Sequence, residues 1–253
     1  MPASLNELSN PGQRKLDSLF ARAREAAVGG LAQCLPQRCA LCSAAAHRSA
    51  LCERCRLALP ALPSGCPVCA QPAIGGAACG DCLRRPPRFA ATIAAHAYAF
   101  PLDRLIQALK YEHRLELAVP LGDALADAVR RVPPTFAGVE AVVPLPLSRA
   151  RQRERGFNQS IEIGRIVARR TGLPLARLLS RTAHAPPQAS LPWRARAGNV
   201  RGAFACDQDL AGRHVAVLDD VMTTGATLDA AAAALLAAGA ARVDAWVVAR
   251  TLK

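Results

Sequence analysis

The fold of this 253-residue chain is decided by the segment Val217-Leu218-Asp219-Asp220-Val221-Met222-Thr223-Thr224-Gly225-Ala226-Thr227. An apolar run from His214 predicts a buried strand that ends at the acidic pair, and an alanine-rich helix is predicted from Ala226. Gly225 permits close backbone approach, and amides at a helix N-terminus favour a phosphate dianion. The hydroxyls of Thr223, Thr224 and Thr227 add donors. The segment therefore predicts a phosphate-binding loop.

The acidic pair, Asp219 and Asp220, gives this loop a more specific ligand. Two consecutive carboxylates before a phosphate loop suit the 2′- and 3′-hydroxyls of a ribose 5-phosphate, at the strand end where open α/β sheets bind ligands. The Gly-Lys-Ser/Thr ending of a Walker A loop is absent. A lone aspartate here would be explained as a helix cap. The complete order of strand, acidic pair, threonines, glycine and helix favours a ligand site over a cap.

Strand and helix patterns alternate around this segment. Because such alternation places helices over both faces of a parallel sheet, the fold class is predicted to be α/β with an open, mostly parallel sheet. Residues 180–200 form a long stretch without periodicity, which is typical of a functional or disordered loop. The predicted strands are Val139 to Leu147, His214 to Asp219 and Val243 to Thr251; the predicted helices are Leu102 to Lys110, Leu121 to Arg131, Asn158 to Arg170 and Ala226 to Ala238.

The N-terminal third contains an internal cysteine repeat. Two CxxC pairs separated by nine residues recur 27 residues later with every cysteine kept. Two CxxC turns complete a tetrahedral site that leaves no position for a catalytic water, so each repeat predicts one structural zinc. The ligands are Cys39, Cys42, Cys52, Cys55, Cys66, Cys69, Cys79 and Cys82.

The sequence alone leaves three questions about the cysteines: their pairing, the role of the two cysteines outside the repeat, and a redox function. Adjacent ribbons could exchange CxxC pairs, so the spacing does not fix which pairs share a metal. Cys34 is either a spare thiol or a substitute ligand, and Cys206 is interpreted as a small buried hydrophobe. A redox function is disfavoured because no thioredoxin-like βαβ pattern surrounds the pairs.

Composition indicates how the chain divides into domains and in which compartment the protein is expected. We predict a helical or flexible leader over 1–33, a double zinc ribbon over 34–88 and a larger α/β domain over 89–253. The leader lacks the apolar core of a signal peptide and no segment is long enough to span a bilayer, so a cytoplasmic protein without membrane insertion is expected. Ten cysteines then favour metal binding over disulfides.

The chain is basic, with a formal net charge of +13. Residues 148–201 hold twelve arginines and only two acidic residues, and residues 1–88 carry a net charge of +6. Such clusters suggest an anionic partner, either a phosphorylated small molecule or a nucleic acid. The alternative is compositional, because only three lysines are present and arginine and alanine abundance is typical of GC-rich genomes.

Further motifs narrow the assignment. Val143-Pro144-Leu145-Pro146-Leu147-Ser148-Arg149 and Arg155-Gly156-Phe157-Asn158-Gln159 precede Arg181-Thr182 and Asn199-Val200-Arg201-Gly202. With the phosphate loop and the cysteine repeat, they resemble the ComF family, which includes the ComFC and GntX-like proteins. The resemblance covers residues 34–253. It implies a type I phosphoribosyltransferase fold preceded by a double zinc ribbon, with phosphoribosyl pyrophosphate (PRPP) and Mg²⁺ as ligands.

The resemblance also implies roles for particular residues. Asp219 and Asp220 would hold ribose hydroxyls or the waters of Mg²⁺, and Arg149 or Arg155 would neutralise the leaving diphosphate. The 181–201 stretch corresponds to a loop that closes over PRPP. Asn158 and Gln159 either cap a helix or face the acceptor. The expected catalytic residues are thus Asp219, Asp220 and Arg155, and the expected PRPP contacts are Pro144, Arg149, Thr223, Thr224, Gly225, Ala226 and Thr227.

Two functions follow from these expectations. The first is a PRPP-dependent phosphoribosyltransferase with an unidentified acceptor, linked to DNA uptake and natural competence. The second is a non-catalytic, PRPP-sensing accessory protein that binds single-stranded DNA and associates with the uptake machinery. Aromatic residues make up only 4% of the chain, so no platform for base stacking is evident.

Overall fold

A computed structural model describes residues 38–46, 49–131, 138–182 and 202–253, and the structural statements below concern these residues. The chain divides into two compact units, Met1–Cys55 and Arg56–Lys253. The second cysteine repeat therefore shares a unit with the larger domain. The predicted leader lies outside the described residues, and the predicted boundary near residue 88 stays a prediction.

A parallel sheet forms the centre of the second unit. Four of its strands lie within the described residues, in the order β1-β6-β5-β2. The long apolar runs of β5 and β6 are largely buried on both faces, as a covered parallel sheet requires. A short antiparallel pair, β3 and β4, stands apart. The strands are β1 (Thr92–Ala97), β2 (Ala141–Pro144), β3 (Ser180–Arg181), β4 (Phe204–Ala205), β5 (His214–Met222) and β6 (Arg242–Arg250).

Helices cover both faces of this sheet. The described helices are α1 (Glu53–Leu57), α2 (Gly80–Arg84), α3 (Leu102–Tyr111), α4 (Ala118–Arg130), α5 (Arg149–Arg155), α6 (Gln159–Thr171) and α7 (Ala226–Ala237). Val215 and Val217 of β5 share a core with Leu228 and Leu235 of α7. Helices α4 and α6 pack on each other and on the same sheet, but no described residue of theirs joins that core, so they cover the opposite face.

Local capping places the segment between β2 and α6. The Ser148 hydroxyl accepts from the Arg151 N–H at the start of α5, which ends at Gly156 in the left-handed region (φ 70°). The Asn158 side chain accepts from the Ser160 N–H and donates to the Leu145 carbonyl. Asn158 is therefore a helix cap, which is one of the two roles that the sequence left open for it.

The predicted fold class is confirmed, while individual boundaries shift. Strand β5 continues to Met222, so Asp219 and Asp220 lie within the strand, near its C-terminal end, and do not follow it. Strand β1 and helix α5 were not predicted: β1 is a short edge strand rich in alanine, and α5 has five charged residues among seven. Within the described part of the chain, no helix is long and apolar enough to cross a membrane.

Candidate functional site

The loop between β5 and α7 has the geometry of an anion site. Gly225 lies in the left-handed region at φ 84° and directly precedes the first turn of α7. This positive φ favours glycine, and a Cβ there would also lie 2.7 Å from Met222 Cε, the end of a flexible side chain. The Thr224 hydroxyl accepts from the Ala226 N–H at 3.3 Å. The first amides of a helix lack intrahelical partners and carry the positive end of its dipole, which suits a phosphate.

The acidic pair is held by three neighbouring groups. Asp219 Oδ1 accepts from the Ser160 hydroxyl at 3.0 Å and from the Asp220 N–H at 2.9 Å. Lys110 Nζ donates to Asp220 Oδ1 at 2.8 Å. Asp220 Oδ2 is buried and has no hydrogen-bond partner among the described residues. One carboxylate oxygen at the strand end is thus left to accept a bond from a ligand.

The pKa values of Asp219 and its neighbour Lys110 are shifted. Burial, reinforced by the negative charge of Asp220, raises the pKa of Asp219 to about 7. Burial alone would lower the pKa of Lys110, but the charge of Asp220 and the hydrogen bond to it prevail, so the pKa of Lys110 is raised. Lys110 is therefore a firmly charged partner that partly neutralises two adjacent acids. Shifts of this kind are typical of functional sites.

Arg155 is buried beside the acidic pair. Its Nη1 donates to Gln159 Oε1 at 3.1 Å, and its guanidinium lies 5.0 Å from the centroid of the Tyr111 ring. Its Nε has no partner among the described residues. A rigid cation with a spare donor is suited to binding an anionic oxygen.

These groups line one cavity of about 300 Å³. Of the predicted site residues, it brings together Asp219, Asp220, Arg155, Thr223 and Thr227. Pro144 and Arg149 lie instead in a neighbouring pocket of about 410 Å³. Thr224, Gly225 and Ala226 face a wide groove of about 1290 Å³, which Thr223 also lines. Gln159, the residue whose role was open, lines the smallest cavity.

Four residues of the cavity were not assigned to the site from the sequence, although Lys110-Tyr111 is among the motifs that resemble the ComF family: Lys110, Tyr111, Arg151 and Ser160. A sequence signal existed for Lys110, which is one of three lysines and lies at the end of an amphipathic helix. Arg181 also lines the cavity, and its guanidinium lies 5.3 Å from the Phe204 ring centroid. The rest of the expected closing loop, residues 183–201, lies outside the described residues.

The cysteines form two four-sulfur clusters. In each cluster all sulfur atoms lie within 4.8 Å of one another, and Cys42–Cys52 and Cys69–Cys79 are each 3.6 Å apart. Tetrahedral zinc with bonds of about 2.3 Å requires sulfur–sulfur distances of about 3.8 Å, so the donors fit that metal. Consecutive pairs share a cluster: Cys39, Cys42, Cys52 and Cys55, then Cys66, Cys69, Cys79 and Cys82.

The two remaining cysteines lie apart from these clusters. Cys206, interpreted as a small buried hydrophobe, is half-buried and packs against the hydrophobic core, with its thiol 3.6 Å from the Gln208 carbonyl. Cys34 falls outside the described residues.

Comparison with known proteins agrees with this arrangement. Residues 31–83 match the double zinc ribbon domain and residues 115–253 the phosphoribosyl transferase domain. The DNA utilization protein YhgH of Escherichia coli K12 is 34% identical over 219 residues, which cover 85% of this chain and 90% of that protein. Competence protein F of Haemophilus influenzae is 30% identical, covering 84% and 96%, and competence protein ComFC of Bacillus subtilis is 26% identical, covering 79% and 84%. The chain belongs to the phosphoribosyl transferase domain family, in the ComF arrangement where a double zinc ribbon precedes that domain.

Proposed function

We propose that the protein binds PRPP in the cavity at the end of β5 and transfers its phosphoribosyl group to an acceptor, releasing diphosphate. The observation that carries this proposal is the Asp219–Asp220 pair, whose side chains line one cavity with Thr223, Thr227 and Arg155, and whose buried Asp220 Oδ2 has no partner among the described residues. A phosphate donor set, ribose-hydroxyl acceptors and a buried cation in one cavity match the three charged or polar parts of PRPP.

Each part of PRPP has a counterpart in the cavity. The 5′-phosphate lies against Thr223 and Thr227, which line this cavity, while Thr224, Gly225 and Ala226 of the same loop line the neighbouring groove. The ribose hydroxyls donate to Asp219 and Asp220. The diphosphate faces the arginines: Arg151, Arg155 and Arg181 line the cavity, and Arg149 follows the adjoining Pro144 segment. Guanidinium groups suit this role because they bind phosphate oxygens in pairs.

Magnesium fits the same place. Asp220 Oδ2, a buried carboxylate oxygen without a partner among the described residues, is the kind of donor that Mg²⁺ accepts together with substrate oxygens and water. When bound, Mg²⁺ would neutralise diphosphate charge.

The chemistry is a displacement at ribose C1. The bond from C1 to the diphosphate oxygen breaks, the electron pair leaves with the diphosphate, and the acceptor's lone pair forms the new bond. Positive charge develops on the ribose, and the nearby carboxylates, which are already in position, stabilise this charge electrostatically. Arg155 stabilises the charge of the leaving group. No described residue of the cavity presents an obvious specificity for a purine or pyrimidine, and the acceptor is left unnamed.

The test is PRPP binding by calorimetry with Mg²⁺, followed by diphosphate release across a panel of acceptors. Asp220→Asn should weaken PRPP binding by at least about tenfold, because it removes a charged acceptor from a buried site. Asp207→Asn is the control, since Asp207 is an exposed aspartate. Equal PRPP affinity in both variants, or none in the unmodified protein, contradicts the proposal.

A second candidate, PRPP-sensing DNA binding without transfer, is favoured by the wide groove. Its lining includes Arg84, Arg85, Arg88 and Lys253 beside the second ribbon and the phosphate loop, and the relatives are named for DNA utilization and competence. This function would place the protein in the cytoplasm beside the DNA-uptake machinery.

A fluorescent single-stranded oligonucleotide distinguishes this candidate from the first. Its affinity should fall steeply with salt and fall again in Arg85→Ala/Arg88→Ala, while Asp220→Asn retains it. PRPP binding without diphosphate release from any acceptor, together with this DNA affinity, would favour the second candidate.

A further inference from the structure

The last residue of β6, Arg250, joins the second ribbon to the phosphate loop. Its side chain is buried, with 2% of the residue exposed. Its Nε donates to the Cys69 carbonyl at 2.7 Å, and its Nη1 is shared by the carbonyls of Met222 (2.9 Å), Thr223 and Thr251 (3.0 Å). One cation thus satisfies backbone acceptors from a CxxC turn, from the start of the phosphate loop and from the chain after β6.

The ribbon side of this link is built into the domain core. Cys66, Cys69 and Cys82 are buried in one cluster with Phe89 and with Leu228 of α7. The Thr92 hydroxyl donates to the Val68 carbonyl at 2.6 Å, and the Thr92 N–H donates to the Pro67 carbonyl at 3.1 Å. The turn that carries Cys69 is therefore fixed to the sheet by packing and by backbone bonds.

A second side chain supports the same link. Gln71 Nε2 donates to the Thr251 carbonyl at 2.9 Å, and its Oε1 accepts from the Lys253 N–H at 3.2 Å. Gln71 thereby holds the chain beyond Arg250 against the ribbon, close to the carbonyl that Arg250 also binds.

On the side of the phosphate loop, Arg250 also binds backbone carbonyls. Met222 and Thr223 are the residues at which β5 becomes the phosphate loop, and their carbonyls both point to Arg250. Met222 Cε also occupies the space where a Cβ on Gly225 would lie. A shift of the Met222–Thr223 backbone would therefore move the glycine that shapes the phosphate site.

We infer that Arg250 is a positioning residue that couples zinc at the second cluster to binding of the 5′-phosphate at Thr223–Thr227. Zinc on Cys66, Cys69, Cys79 and Cys82 fixes the Cys69 carbonyl, this carbonyl orients the guanidinium, and the guanidinium holds the carbonyls of Met222 and Thr223. Without zinc the CxxC turn loses its shape and Arg250 loses its anchor. This inference rests on the proposed PRPP site.

The repeat supplies matched variants for the first test. Cys79→Ser and Cys52→Ser change the same position of the two repeats, 27 residues apart, and each should leave one zinc per chain by metal analysis. PRPP affinity with Mg²⁺, measured by calorimetry, should fall by about tenfold or more in Cys79→Ser, a usual size for coupling between two sites. Cys52→Ser should stay within about twofold of the unmodified protein.

The outcomes separate this inference from the proposed function. If the unmodified protein does not bind PRPP, the proposed function fails. If it binds PRPP and both cysteine variants bind it equally well, the coupling is absent and the proposed function stands.

A second experiment needs no cysteine substitution. Coupling of binding free energies is reciprocal, so PRPP should raise by about tenfold the concentration of a chromogenic chelator that removes one of the two zinc ions from the unmodified protein at equilibrium. In Arg250→Gln, with both zinc ions present at the start, this protection should disappear, and Arg250→Lys should retain part of it. Full protection by PRPP in Arg250→Gln would overturn the inference, even if Cys79→Ser does not fold.

Discussion

The two cysteine repeats have identical spacing and different surroundings. In the first, Cys42 is exposed and the backbone bonds are local, such as Cys39 N–H to the Ala44 carbonyl. In the second, Cys69, the counterpart of Cys42, is 8% exposed and belongs to the core that contains α7. Identical ligand spacing therefore specifies which metal binds, but it does not specify the structural role of that metal. The apolar residues beside the ligands decide whether a ribbon joins the hydrophobic core of the larger domain.

Removing a ligand from each repeat should give the largest contrast in stability. Cys66→Ala should lower the free energy of unfolding of the Arg56–Lys253 unit by about 4 kcal/mol or more, because it removes a structural metal from the core of that unit. Cys39→Ala, its counterpart, should leave the unfolding of that unit unchanged. Thermal melts followed by near-ultraviolet circular dichroism at Trp246 measure the difference. Equal losses would mean that the two ribbons contribute alike.

The next contrast compares two lysine–aspartate pairs. Lys110–Asp220 lies in the cavity with side chains 18% and 4% exposed, whereas Lys253–Asp81 joins the chain end to the second ribbon with side chains 66% and 59% exposed. Lys110→Met should cost about 3 kcal/mol, because it leaves a buried carboxylate without its partner. Lys253→Met should cost less than about 1 kcal/mol. Denaturant unfolding checks both values, and similar losses would contradict the assignment of Asp220 as a buried charge.

What the sequence predicted well was local. The eight zinc ligands and the Asp219–Thr227 loop are each recognisable because their residues are close in the chain, where spacing and hydrogen bonding are set by turns and strand ends. The same holds for α6, whose Asn158 cap and Gly172 end are both visible in the sequence.

The contacts that the sequence could not predict join residues that are far apart in the chain. Lys110 and Asp220 are 110 residues apart, and Arg250 and Cys69 are 181 apart. These pairs meet through the tertiary packing of α3 and of the second ribbon beside β5 and β6, which local sequence does not specify. The arginines of α5 show a second limit. Residues 151 and 155 are one turn apart and line one cavity, while Arg149 projects in another direction and lines the neighbouring pocket.

A pair of glycines tests whether the phosphate loop is more constrained than the ribbon. Gly225 and Gly76 both have positive φ, 84° and 69°, but a Cβ would meet Met222 and Phe89 at Gly225 and nothing within 4 Å at Gly76. Gly76→Ala should cost about 1 kcal/mol from backbone conformation alone. Gly225→Ala should cost about 2 kcal/mol and also weaken PRPP binding several-fold. Equal costs, measured by thermal unfolding, would mean that Met222 moves aside freely.

The last contrast is a pH dependence of opposite sign in the two regions. The pKa of Asp219 is raised to about 7 by burial and by Asp220, so between pH 4 and 7 the folded state binds a proton that the unfolded state has lost. Stability from this group therefore falls as pH rises, by at most about 1.4 kcal/mol per pH unit, and levels off above pH 7. The stability advantage of Asp219→Asn over the unmodified protein should grow between pH 5 and 7.

Asp81 on the second ribbon provides the matched carboxylate. Its hydrogen bond with Lys253 and the charges of Lys253 and Arg84 lower its pKa, so its contribution is present above pH 4 and is lost only as the pH falls further. Asp81→Asn should therefore differ from the unmodified protein by a constant amount between pH 5 and 8. Unfolding free energies across this range check both variants. A flat difference for Asp219→Asn would mean that Lys110 keeps Asp219 ionised at every pH, and the acidic pair would then hold two negative charges before any ligand binds.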